Sequence, residues 1–212
     1  MLPMSLLIKI CGMRDASNIQ QILTLPIDYI GFIFYPKSPR YVSSPDEFSA
    51  IQFPESLKKV GVFVNADTTE IMQKVKIYDL HTVQLHGNES VQLCQFLHSQ
   101  GVEIIKAFQI QEESDFKQVL PYQTYVDYFL FDTQTNDYGG SGKKFDWQLL
   151  KSYQATTPFF LSGGIAHEDV LTISKLKHSL LAGIDLNSRF ETSPGIKNYP
   201  LLASFIYKIK TT

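Results

Sequence analysis

The 212-residue sequence is poor in cysteine, with only Cys11 and Cys94. No charged region, long apolar region and cleavage site open the chain as a secretory leader would, so reduced thiols, no structural disulfide and a cytoplasmic location are expected. Long hydrophobic runs are missing as well. Tyr29 to Phe34 is representative, far short of the roughly 20 residues of a membrane span. Charge of one sign is not in excess: 19 Lys and Arg stand against 21 Asp and Glu, a net charge of -2. Without a Lys/Arg stripe there is no electrostatic footprint for nucleic acid or an anionic membrane, and the expected partner is a small molecule. No Pro/Gly/Ser linker or low-complexity stretch divides the chain, which predicts one domain over residues 1–212.

What is present is a regular alternation. Leu6 to Cys11, Tyr29 to Phe34, Val60 to Val64, Val83 to Leu85, Ile104 to Phe108, Tyr128 to Phe131, Phe159 to Leu161 and Leu181 to Leu186 are short apolar runs rich in Ile, Val and Phe. Such runs fit buried parallel strands. Helical patterns lie between them: Asp15 to Leu23, Pro45 to Ile51, Thr68 to Tyr78, Glu89 to Ser99, Glu112 to Leu120, Asp146 to Tyr153, His167 to Lys177 and Leu201 to Lys210. Asp67 or Thr68 caps the third, whose apolar face is Ile71, Val75 and Tyr78; Asn88 precedes the fourth, with Val91, Cys94 and Leu97 on one face. Eight strand-helix units predict a closed (β/α)₈ TIM barrel, with an open doubly wound sheet as the alternative.

In such a barrel the residues after each strand share one rim, the active-site face. Cys11 and Arg14 follow strand one, Tyr35 to Tyr41 with Arg40 strand two, Gln84 and His86 strand four, and Asp132 strand six. Ser162, Gly163 and Gly164 follow strand seven, and Asp185 to Arg189 strand eight. Cys11, beside cationic Lys9 or Arg14, is a candidate for a thiol lowered from about 8.5 toward neutrality, whereas Cys94 on an apolar helix face reads as core. Asp132 ends an apolar strand, where burial favours the protonated form and suits a general acid. Arg40 is placed to hold a carboxylate bidentately, or is a solvated loop charge. Gly163, Gly164 and Ser188 occupy the loops that form the usual barrel phosphate site. His86 has no second His, Cys or carboxylate at ligand spacing, so it forms no metal site and is either a structural histidine or a substrate contact on the rim. The segment Tyr138 to Lys144 is Gly-rich and is expected to be a lid or a plain connection.

Lys9 to Gly12, Gly31 to Tyr41, Val62 to Asn65, Val83 to Gly87, Phe131 to Thr133, Tyr138 to Lys143 with Phe145 to Trp147, Leu161 to Gly164 and Pro194 to Lys197 together resemble phosphoribosylanthranilate isomerase, a family of tryptophan biosynthesis. The blocks keep the family's order from residue 9 to about 198. The resemblance implies a cofactor-free Amadori rearrangement of N-(5-phosphoribosyl)anthranilate, a small phosphoribosyl substrate, by a monomer or homodimer. It implies Asp132 as general acid and Cys11 as general base. Arg40 would sit on the anthranilate carboxylate, Asp185 near the anthranilate amine, and Gly163, Gly164 and Ser188 on the phosphate.

One departure stands out. The family's Ser-Gly-Val/Ile-Glu after strand eight is Ser188-Arg189-Phe190-Glu191 here. If that position needs a positive φ, Arg189 strains the phosphate site; otherwise it adds a charge-assisted contact or points to solvent. Rivals are another phosphosugar enzyme such as the histidine-pathway isomerase, whose paired aspartates this chain lacks, a silent barrel acting as a scaffold, and a thiol hydrolase. The hydrolase lacks any triad signature around His86.

Overall fold

A computed structural model describes residues 6–48, 50–133 and 146–211. The eight expected strands are all present: β1 (Leu7–Ile10), β2 (Tyr29–Ile33), β3 (Lys58–Phe63), β4 (Thr82–Leu85), β5 (Glu103–Ile110), β6 (Tyr128–Thr133), β7 (Phe159–Leu161) and β8 (Leu181–Leu186). They form a closed parallel barrel in chain order, sealed where Leu7 to Ile10 pair with Gly183 to Leu186. The open doubly wound sheet is thereby excluded.

Both faces of each strand are covered, which is why the runs are apolar without polar alternation. Side chains nevertheless alternate in destination. On β5, Ile104, Phe108 and Ile110 join the layer between barrel and helices, while Ile105 and Ala107 point into the barrel with Val62, Leu130 and Phe160. On β6, Phe129 and Phe131 face outward and Leu130 inward. The two-residue period then sets Asp132 on the inner face at the mouth. By the same period Cys11 follows Lys9, His86 follows Gln84, Ser162 follows Phe160 and Asp185 follows Gly183.

The outer layer departs further from expectation. Helices α1 (Ala16–Ile22), α2 (Thr68–Tyr78), α3 (Val91–Ser99), α4 (Val170–Ser174) and α5 (Tyr199–Thr211) are α-helical, but Pro45–Phe48, Glu113–Tyr122 and Trp147–Ser152 are 3₁₀ segments, and His167–Asp169 leads into α4 as another. In the longest of these Pro121 has no N–H to give and its ring crowds the preceding turn. Asp67 caps α2 as expected. Ser90, not Asn88, caps α3: Glu89 is drawn inward, 3.1 Å from Lys106 Nζ, and the helix starts only after it. Cys94 lies in the core layer under α3, and both cysteines are free thiols. A short antiparallel hairpin, β9 (Glu191–Ser193) with β10 (Ile196–Lys197), follows β8 and was not expected. No helix among the described residues is long and apolar enough to cross a membrane. The Tyr138 to Lys144 segment lies outside the described residues.

Candidate active site

Each rim residue is delivered by the carboxyl end of its own strand, so the parallel barrel gathers them at one mouth. Cys11 is anchored by its N–H, which donates to Leu186 O at 2.9 Å, and only 3% of its surface is exposed. Across from it, a Cβ on Gly31 would lie 3.0 Å from the Cys11 Sγ, so a side chain there would press on the thiol. Two residues back along β1, the fully buried Lys9 donates from Nζ to Asp185 Oδ1 at 2.9 Å. Burial disfavours that ammonium, but Asp185 and Cys11 more than offset it and hold Lys9 above the ordinary lysine value. Ser162 Oγ lies 3.4 Å from the other Asp185 oxygen.

The thiol corrects one expectation. Burial pushes the Cys11 thiol up rather than down, because loss of solvent outweighs the cations of Lys9 and Lys197, and the Asp185 charge adds to the rise. Arg14 is not beside it either. Its Nη1 donates to Pro39 O at 3.0 Å on the exposed side, and its side chain packs where a Cβ on Gly195 would stand.

Asp132 is less buried than its strand suggested, with 20% of its side chain exposed, because the rim opens just past the last apolar residue. His86 Nε2 lies 3.5 Å from Asp132 Oδ2, and Gln84 Nε2 is 2.9 Å from His86 Nδ1. With the Gln84 amide donating to Nδ1, the neutral ring carries its proton on Nε2, toward Asp132. His86 thus belongs to the site through Asp132.

Arg40 is not a solvated loop charge. It is buried, and Glu191 holds it side-on, accepting from Nε at 2.9 and 3.1 Å and from Nη2 at 2.6 Å. Among the described residues no hydrogen bond is made by the end-on edge, Nη1 with the second Nη2 hydrogen. Glu191 also accepts from Lys197 Nζ at 2.6 Å, and Lys197 donates to Asn187 Oδ1 at 2.7 Å. Burial alone would raise the Glu191 carboxyl; Arg40 and Lys197 hold it below the usual value. Gly12, at φ 75°, lets this cluster close, since a Cβ would sit 2.6 Å from Arg40 Cδ and 2.8 Å from Asn187 Oδ1.

At the β7 and β8 ends, Gly163 and Gly164 adopt φ of 82° and 67°. Ser188 opens the 3₁₀ turn Ser188–Phe190. Arg189 is exposed and its φ is not in the left-handed region; among the described residues only Asn65 and Asp79 combine a side chain with positive φ. The strain that replacing a family glycine threatened is absent. Among the described residues no group of three or more His, Cys, Asp or Glu is placed to hold a metal ion.

The rim therefore joins Cys11 to Asp185 through Lys9, and His86 to Asp132. The role of Glu191 and Lys197 was missed: both lie on two- and three-residue strands without periodicity, and their signal was confined to the family blocks after strand eight, Ser188 to Glu191 and Pro194 to Lys197.

The family model described as N-(5'-phosphoribosyl)anthranilate (PRA) isomerase matches residues 8–208. A curated N-(5'-phosphoribosyl)anthranilate isomerase of Parabacteroides distasonis is 48% identical over 206 residues, spanning 96% of this chain and 93% of that one. Its counterpart in Phocaeicola vulgatus is 43% identical over 205 residues, spanning 97% and 98%. The crystal structure of phosphoribosyl anthranilate isomerase from Thermotoga maritima superposes with a TM-score of 0.84 at 33% identity, covering 98% of this chain and all of that one. Another, in complex with reduced 1-(o-carboxyphenylamino)-1-deoxyribulose 5-phosphate, superposes with a TM-score of 0.81 at 29% identity, with 98% of this chain covered.

Proposed function

The chain belongs to the N-(5'-phosphoribosyl)anthranilate isomerase family of tryptophan biosynthesis, and we propose that it rearranges its substrate with Asp132 as general acid and Cys11 as general base. Asp132 protonates the ribose ring oxygen as the C1–O bond breaks, and the anilino nitrogen lone pair forms the Schiff base. The Cys11 thiolate takes the C2 proton, and the C–H electrons become the C1=C2 bond of a neutral enolamine. Gain of a proton at C1 and loss of one from the C2 hydroxyl leave the ketone, so no net proton is consumed. The anthranilate carboxylate meets the end-on edge of Arg40, with Asp185 near the amine. Gly163, Gly164 and Ser188 hold the phosphate through N–H groups, and Arg189 adds a contact from the exposed side.

The observation that carries the assignment is the buried Lys9 ammonium bound to Asp185 beside Cys11. A cation there favours the thiolate, and the positive Schiff base acts in the same direction once the ring opens. The enzyme works in the cytoplasm as a monomer or homodimer, a state read directly by light scattering.

The test is anthranilate fluorescence during turnover of freshly generated phosphoribosylanthranilate. Wild type is expected to exceed Cys11→Ala and Asp132→Asn by at least about a hundredfold each. A wild type no faster than either variant removes the assignment.

A further inference from the structure

Lys197 is a lysine that the fold takes pains to bury. Asn18 of α1 clamps its backbone at both polar groups, accepting from the Lys197 N–H at 2.7 Å and donating to its C=O at 2.9 Å. The side chain has no solvent exposure, and its ammonium ends on Glu191 Oε1 and Asn187 Oδ1. Burying an ammonium is costly even after relaxation, and burial pulls Lys197 below the ordinary lysine value despite Glu191. A barrel needs no such group for closure, since β9 and β10 lie outside it.

What the ammonium faces gives it a use. Gly12, the neighbour of Cys11 in the chain, lies against Asn187, with its would-be Cβ 2.8 Å from Oδ1, and Lys197 Nζ donates to that same oxygen at 2.7 Å, so among the described residues the charges acting on the thiol include Lys9 from β1, Asp185 from β8 and Lys197 from β10. Glu191 from β9 accepts from Lys197, and Arg40, from the loop after β2, donates to Glu191. Lys9 is paired with Asp185 and Lys197 with Glu191, so the field of each on the thiol is partly cancelled; Lys197 adds a second cation from another element. One buried lysine therefore connects the thiol to the guanidinium, through Glu191.

We propose that Lys197 is a positioning residue of the isomerisation, favouring the Cys11 thiolate together with Lys9 and fixing Glu191 so that Arg40 presents its end-on edge to the substrate. This rests on Cys11 acting as the base and Arg40 as the carboxylate contact. Lys197 itself touches no reacting atom.

Cysteine labelled with ¹³C at Cβ gives two resonances, assigned with Cys11→Ala, whose shifts follow thiol ionisation. Cys94, pushed up to about 11 by burial, serves as the internal control. In Lys197→Met the Cys11 midpoint is expected to rise by about one pH unit, the effect of losing one nearby cation. Meanwhile kcat/KM at neutral pH falls about tenfold, and Lys197→Arg restores both. If Lys197→Met does not fold, Lys197→Gln, whose neutral amide can still donate to Glu191 while Arg40 keeps its own bonds to that carboxylate, carries the same readout. A Cys11 resonance that behaves alike in wild type and variant across the folded pH range, including one that does not move, overturns the proposal. The titration needs no substrate. A wild type that does not turn over phosphoribosylanthranilate therefore fails the functional assignment alone, whereas an unmoved midpoint with normal wild-type turnover fails only Lys197.

Discussion

Lys9 Nζ and Asp185 Oδ1 lie 2.9 Å apart at the mouth of the barrel, with the lysine wholly out of solvent. Removing one partner strands the other as a buried charge, which typically costs about 3–5 kcal/mol. Lys9→Met is therefore expected to lose stability of that order in urea denaturation. Lys9→Met with Asp185→Asn is expected to recover most of it without recovering turnover. Lys9 is held above its value of 10.5 in the unfolded chain, so its contribution is complete at neutral pH and is lost only as pH rises through the folded value. Single variants as stable as wild type would contradict the pairing.

Glu191 has the opposite sign. Its carboxyl is held below the unfolded value of 4.5 by Arg40 and Lys197 against burial. The contribution is present above 4.5 and disappears as pH falls through the depressed folded value. Wild type is expected to be more stable than Glu191→Gln at neutral pH, with the gap closing as the solution is acidified. Steady-state kinetics of the same variant should show a raised KM from a loosened Arg40. A gap that stays constant with pH would remove Glu191 ionisation as its source.

His86 is expected to act by orienting Asp132, from the 3.5 Å approach of its Nε2. His86→Ala should lower kcat by about tenfold to a hundredfold with little change in KM, the cost of a displaced catalytic group. A change confined to KM would instead make His86 a substrate contact.

Arg189 sits in an unstrained backbone. Arg189→Gly is expected to raise KM by about threefold, the scale of an exposed charged contact, and to leave kcat alone. A fall in KM would show that the arginine obstructs the phosphate.

The barrel was legible because its signal is repeated: eight apolar runs, each too short for a helix and each buried on both faces, constrain one another. The rim was legible for the same reason, since the strand ends are fixed once the strands are. Helix type was less so. Pro121 and the inward turn of Glu89 act through local sterics and a tertiary ion pair that periodicity does not register. The ordering of charge was the hardest to read. Lys9 stands two residues before Cys11 in sequence, yet the direction in which the thiol moves depends on how much water burial removes and on Lys197, which arrives from a hairpin 186 positions away in numbering.

The most direct test of Cys11 as the base is single turnover of phosphoribosylanthranilate carrying deuterium at ribose C2. Wild type should process the deuterated substrate more slowly than the protiated one, and Cys11→Ala should lose at least about a hundredfold on the protiated substrate while remaining folded. A Cys11→Ala enzyme that keeps the wild-type rate and its isotope effect would show that another group removes the C2 proton.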